Sequence, residues 1–350
     1  MGMNQHQRGA VCGLLAAALF GLSAPVAKLL LEGVPPVLLA GLLYLGAATG
    51  LWLHRTFMPR TREAPLARTD VAKLITVVIS GGVVAPTLML LGLARVTALT
   101  GSLLLNLEAP FTVLLALVMF HEHLGRDGAI AAGLIVSGAL VLKLEPGSLG
   151  ADSLGSALLA SACACWALDN NLTQRLSLRD PFAIVRVKTL AAGLFNTALG
   201  LALTGGKLPQ LSYVPGALLL GAVSYGVSVV LDAYALRSIG AAREAAYFAT
   251  APFVGALLAV VFLREPLHWY DGLAMVAMAL GAVFLLRERH AHVHEHSALA
   301  HEHLHVHDQH HQHTHLSGDP VSEPHSHYHQ HAPLVHDHPH VSDAHHRHRH

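Results

Sequence analysis

Residues 94–111 read ARVTALTGSLLLNLEAPF, and residues 236–253 read LRSIGAAREAAYFATAPF. The two stretches align. Arg95 precedes Pro110 by 15 residues and Arg237 precedes Pro252 by 15, and Ala109-Pro110-Phe111 matches Ala251-Pro252-Phe253. The match extends outward in both directions. Glu122 precedes Gly138 by 16 residues, as Glu265 precedes Gly281, and Phe20 and Lys28 sit at the spacing of Trp166 and Gln174. The chain therefore reads as one unit written twice, with a charged residue, Glu108, inside an otherwise apolar run of the first copy.

Composition says what kind of unit it is. Of 350 residues, 53% are hydrophobic and only 13% charged, where a soluble protein carries about 25% charged residues. A water-facing globular surface is excluded on that ground. The net charge is +0, which gives no bulk attraction to nucleic acid. Histidine is the anomaly: 23 of the 28 lie between His290 and His350. The average thus joins two polymers, an apolar body and a polar, histidine-rich tail.

Ten apolar runs in the body are each long enough to cross a bilayer, near 9–31, 34–53, 71–93, 98–119, 128–144, 153–173, 182–203, 214–236, 241–263 and 269–287. Pro35-Pro36 opens the second, where missing amide donors are harmless, and Gly205-Gly206-Lys207 with Pro209 separates the seventh from the eighth. The first run is too long for the core of a cleaved signal peptide, and no good small-residue cleavage site follows it. Five spans per copy is an odd number, so the copies must lie in opposite orientations, a pattern typical of secondary transporters. The expected fold is all-α integral membrane, ten transmembrane helices as two inverted five-helix repeats over 1–148 and 149–289, with a disordered tail over 290–350. With the N-terminus in the cytoplasm, inner loops and ends hold 13 Lys and Arg against 4 outside. The positive-inside bias then puts both termini in the cytoplasm of a multi-pass protein of the cell membrane. Cys12, Cys163 and Cys165 fall inside spans and read as small packing residues.

The segments Phe20-Gly-Leu-Ser-Ala-Pro-Val-Ala-Lys28, Ala94 through Glu122 and Gly240-Ala-Ala-Arg through Glu265, set in ten spans with a repeat, resemble the EamA-like transporters of the drug/metabolite transporter superfamily. Leu105-Asn-Leu-Glu108, Trp166-Ala-Leu-Asp-Asn-Asn-Leu-Thr173 and the histidine-rich end resemble a bacterial subgroup. The resemblance implies export or exchange of small metabolites across the cytoplasmic membrane and names no substrate. Many relatives carry an Arg in the second span; Gly41-Leu-Leu-Tyr-Leu45 has no charge here, so that role is not carried over.

An ionisable group inside a span costs about 2.5–3.5 kcal/mol on insertion scales, so each needs a reason. Glu108 sits near the middle of span four, on one stripe with Gly101 and Thr112. It reads as a carboxylate that exchanges a proton or cation, against the plainer reading of a hydrogen-bonded structural glutamate. Asn106 precedes it. Asp169-Asn170-Asn171 in span six suggests a locally broken or cavity-lining segment able to hold a cation or amine, or else a helix end at the headgroups. Lys188 in span seven is placed to pair with Glu108 or Asp169. Asp232 is expected to pair at the surface with Arg237, Lys28 to snorkel to the interface, and Glu122 and Glu265 to mark boundaries. No phosphate-binding loop or nucleophile elbow is present, so neither an ATP-driven pump nor an enzyme is expected.

In the tail, histidine recurs at alternate positions: His290, His292, His294 and His296, then His301, His303, His305 and His307, with His310, His311, His313 and His315 following. Neutral imidazole suits zinc, nickel, copper and cobalt, so the tail is expected to bind transition metals, while no cofactor is required. Few apolar residues predict disorder without metal. The functional expectation is ion-coupled efflux or exchange of a small metabolite by alternating access. Its alternatives are a zinc, nickel or cobalt transporter and a metal-responsive membrane sensor without transport. Expected partners are the lipid bilayer, a small-molecule or ion substrate, divalent metals at the tail and, as an assembly to test, a second copy in a homodimer.

Overall fold

In a bilayer an apolar stretch has only its own backbone to satisfy its N–H and C=O groups, and helix is the outcome. The computed structural model describes residues 5–57, 63–120, 125–144, 148–177, 179–287, 290–296, 299–305, 325–331 and 334–340. The first half runs α1 (Gln5–Gly21) and α2 (Ser23–Leu30); α3 (Pro36–Phe57); α4 (Val71–Val77), a π-helical turn Val78–Val84 and α5 (Ala85–Leu93); α6 (Ala98–Leu104), a 3₁₀ turn Leu105–Leu107 and α7 (Glu108–Phe120); and α8 (Arg126–Val141). The second half repeats this order as α9 (Ser148–Leu176); α10 (Pro181–Leu203); α11 (Val214–Leu220), a π turn Gly221–Val227 and α12 (Ser228–Ile239); α13 (Ala241–Phe248) and α14 (Ala251–Phe262); and α15 (Trp269–Arg287).

Eight helical segments among the described residues are long and apolar enough to cross a membrane. The 16-residue α8 and the 29-residue α9, which carries Asp169-Asn170-Asn171, complete the five-plus-five pattern. Leu14, Leu15, Ile79, Val118, Leu194, Phe195, Leu257 and Phe262 point outward as an apolar surface, which is what lipid requires.

Small residues let equivalent helices of the two halves approach closely. Gly41 of α3 packs on Thr197 of α10, Gly193 on Tyr44 and Leu45, and Gly200 on Leu38. As residue numbers rise along α3 they fall along α10, so the two run antiparallel. A Cβ at Gly200 would lie 2.6 Å from Leu38 Cα, and only glycine allows that crossing. Helices α8 and α15 cross the same way, Gly138 against Ala274 and Met278, Gly281 against Ile135 and Ala131. The remaining contacts are reciprocal: α1 packs on α12 as α9 packs on α5, and α14 packs on α6 as α13 packs on α7. The repeat read in the sequence is thus an inverted one in space.

Four segments of the tail depart from the disorder expected of them. β1 (His290–His296) pairs antiparallel with β4 (Leu334–His340), and β2 (Leu299–His305) with β3 (His325–His331). Alternate spacing of histidine is also the period of a pleated strand. Backbone register places His290, His292 and His294 opposite His340, His338 and His336, and His301, His303 and His305 opposite His329, His327 and His325. His307, His310, His311, His313 and His315 lie outside the described residues.

Candidate functional site

The matched prolines locate the site. A proline inside a helix leaves the carbonyl four residues earlier without its donor and pushes it aside. Pro110 and Pro252 do this in corresponding places: span four changes to a 3₁₀ turn at Leu105–Leu107, and span nine is interrupted between Phe248 and Ala251. Pro86 does the same to Gly82 at the end of the first π turn. There the carbonyls are met by side chains: Gly81 O accepts from Tyr44 Oη at 2.7 Å and Trp166 Nε1 at 3.1 Å, and Gly82 O from Asn196 Nδ2 at 3.4 Å. Broken spans are tolerated where they border a cavity or buried protein.

A partly open pocket lies between the two breaks. Phe20, Phe248 and Pro252 give it apolar walls, and Ser23, Ser102, Asn106 and Glu108 are its polar groups. Phe20 sits at the centre of an aromatic group, with ring centroids 5.7 Å from Trp166, 5.6 Å from Tyr225 and 5.1 Å from Phe248. Phe20 and Trp166 are repeat equivalents, so their contact marks where the halves meet. Asn106 is buried and its Nδ2 lies 3.6 Å from Met278 Sδ. Ser102 Oγ and Asn106 Oδ1 find no partner among the described residues.

Glu108 is half-buried at the start of α7 and accepts a hydrogen bond from Asn170 Nδ2 at 2.7 Å. Behind it lies the buried ion pair of Lys188 with Asp169, whose other oxygen accepts from Thr173 Oγ1 at 3.2 Å. Asn171 Nδ2 donates to Thr112 O and Ala167 O. The structure therefore joins Glu108 to Asn170 and Asp169 to Lys188 as two separate contacts, ties Asn171 to backbone carbonyls, and places only Glu108 of these five on the cavity wall. Of the two partners expected for Lys188 it takes Asp169. The Asp169-Asn170-Asn171 segment is not a break: α9 is continuous through it, because all three side chains are buried against neighbouring helices instead of facing lipid.

Three other expectations resolve by long-range packing. Asp232 is buried and does not pair with Arg237, which reaches Glu63 at 3.1 Å and the carbonyl of Arg179 at 3.3 Å. With Arg179–Asp70 at 3.0 Å this forms an ionic belt that docks the 63–70 loop on the bundle. Burial raises the Glu63 carboxyl above its ordinary range despite Arg237 beside it. Lys28 does not snorkel: Nζ donates to Leu93 O at 2.8 Å and Val96 O at 2.6 Å, capping the end of α5. Glu265 keeps its boundary role, accepting the free N–H groups of Ala98 and Leu99 at the start of α6 at 2.8 and 2.7 Å. Glu122 lies outside the described residues. A further group, Glu244, is fully buried near the start of α13. In the register that aligns Arg95 with Arg237 it stands opposite Ser102, and no surrounding pattern of charge singled it out.

Ten spans in two inverted halves, with a largely apolar cavity at paired helix breaks, define a multi-pass membrane transporter. The model of the EamA-like transporter family matches residues 7–144 and 153–287, and the chain belongs to that family, within the drug/metabolite transporter superfamily. It is 31% identical over 295 residues to an uncharacterized transporter of Methanothermobacter thermautotrophicus, covering 79% of this chain and 85% of that one. It is 30% identical over 190 residues to Uncharacterized protein PA1977 of Pseudomonas aeruginosa, covering 54% of this chain and 65% of that one. A solved crystal structure superposes with a TM-score of 0.62 at 19% identity, over 80% of this chain and 98% of the other, a likeness of fold alone.

Proposed function

We propose that the protein is an ion-coupled exporter or exchanger of a small solute in the cell membrane, working by alternating access of its two inverted halves. The observation that carries this reading is Glu108, the one carboxyl group on the cavity wall among the described residues, held by Asn170 with the Asp169–Lys188 pair behind it. An apolar, aromatic cavity with one carboxyl, an amide and two hydroxyls suits a solute with an apolar body and a basic or hydrogen-bond-donating end. Occupation of Glu108 by a proton or by the solute, but not both at once, would couple their movements. The Lys and Arg bias supports cytoplasmic termini, with the ionic belt on the inner face.

The test is flux in proteoliposomes. A thermal-shift screen of metabolites supplies the solute, since ligands of the folded state raise its stability by mass action. Wild-type flux is expected to follow an imposed pH gradient, and Glu108→Gln to abolish that dependence and weaken binding of a basic solute. Unchanged pH-coupled flux in Glu108→Gln would refute the coupling role.

The tail is proposed to bind transition metals, supported by six His-to-His pairings in the register of its strands. This favours a metal-responsive or metal-carrying variant of the same transporter as the second reading.

A further inference from the structure

We propose that Asp232 and Glu244 form a proton-binding site in which the two facing carboxyl groups share one proton, at the turn joining α12 to α13. This goes beyond the coupling role given to Glu108 and involves different residues.

The two side chains are brought together by Gly240. Its φ of 78° lets the chain reverse between α12 and α13 within one residue. Asp232 lies about two turns before it and Glu244 about one turn after, and the two side chains interact across the hairpin. Glu244 has 0% exposure and Asp232 7%. Neither oxygen of Glu244 receives a hydrogen bond from any donor among the described residues. An ionised carboxylate only accepts hydrogen bonds, so two of them facing each other cannot bond. Once one carries a proton, its O–H donates to the other.

Among the described residues, Lys188 is the one cation that acts on the pair. Lys188 of α10, Asp169 of α9 and Glu108 of α7 are the charged groups that face the pair. Lys188 is already engaged by Asp169. From the first span the approach is made by small residues, with Gly13 packed against Ala235 and Tyr247 and Gly9 against Ser238 and Ile239. Four buried or half-buried carboxyls thus stand around one ammonium. Such charge is not sustained away from water unless it is neutralised. A proton does so without the five or six oxygen ligands a metal cation would require.

The location gives the proton a task. Helix α13 is the short half of the broken span nine, and Ala245, next to Glu244, lines the cavity with Phe248 and Ala249. With the proton in place the pair holds α13 on α12. Its loss sets two like charges against each other across that contact and favours movement of α13 away from α12, opening the cavity at this end.

The experiment is infrared difference spectroscopy of the full-length protein in lipid nanodiscs, titrated in H2O and D2O. The C=O stretch of a protonated carboxyl is distinct from carboxylate bands and shifts on deuteration. Wild-type protein at neutral pH is expected to show a protonated-carboxyl component that disappears at alkaline pH. Glu244→Gln and Asp232→Asn are each expected to remove it, and Glu108→Gln to leave it. The two single variants serve as independent removals should one fail to fold. Persistence of the component in either folded single variant overturns the proposal, as does its absence from the wild type. Loss on adding sodium at constant pH would make the site a cation site instead, and loss only in Glu108→Gln would move the proton to Glu108. Flux measurements on Glu108→Gln separate failure of this inference from failure of the coupling reading.

Discussion

Lys188 and Asp169 form an ion pair in which both side chains are almost fully buried. Both are buried, and their charges are satisfied mainly by each other. Removing one partner strands a charge in a low-dielectric interior, at a cost of about 3–5 kcal/mol, whereas replacing both is often nearly neutral. Lys188→Met is therefore expected to lower the denaturation midpoint in detergent by that order, and Lys188→Met with Asp169→Asn to recover most of it. Equal losses in single and double variants would show that the pair is not the source. The same physics explains what the sequence revealed at this scale. Glu108, Asp169 and Lys188 stand out because charge in an apolar run is improbable without a reason. Their partners were not legible, since pairing depends on which helices touch. Asp232 and Arg237 are near in sequence, yet Arg237 turns to Glu63 and Asp232 is buried apart from it. Lys28 resembles a snorkelling residue until α5 is seen to end beside it.

At the scale of elements, the span positions were readable because bilayer thickness fixes length and because glycine and proline punctuate the chain. The breaks were only half readable. Pro110 and Pro252 were visible as landmarks, but whether a proline kinks, widens or interrupts a span depends on what takes up the freed carbonyls. The π turns were not readable at all, since Tyr44, Trp166 and Asn196 come from three other helices. Close helix approach gives a sharper prediction. A Cβ at Gly221, in the second π turn, would collide with the backbone of Leu43, while one at Gly133 of α8 would meet nothing within 4 Å. Overpacking costs about 1–3 kcal/mol, and a helical Gly→Ala change in open space gains up to about 1 kcal/mol. Gly221→Ala should lower the melting temperature of detergent-solubilised protein and Gly133→Ala should leave it level or raise it. The reverse order would contradict the close α3 contact.

For the whole molecule, the inverted arrangement followed from an odd number of spans per copy, and antiparallel packing of α3 on α10 and α8 on α15 realises it. The tail stands apart: the cavity and the buried polar contacts near it draw only on residues before 290. Deleting residues 290–350 is expected to leave the melting temperature of the metal-free body unchanged and to abolish high-occupancy zinc binding in a titration. Retained zinc stoichiometry in the truncated protein would place the metal elsewhere.

The central claim, that the cavity opens to each side of the membrane in turn, is open to a direct measurement that needs no knowledge of the solute. With Cys12, Cys163 and Cys165 replaced by Ala, Ser102→Cys puts a single thiol on the cavity wall. Its reaction with a membrane-impermeant thiol reagent is then followed in intact spheroplasts and in inverted vesicles. Alternating access predicts labelling from both faces, with the balance between them shifting with pH. Labelling confined to one face at every pH would contradict it and leave a static receptor or scaffold.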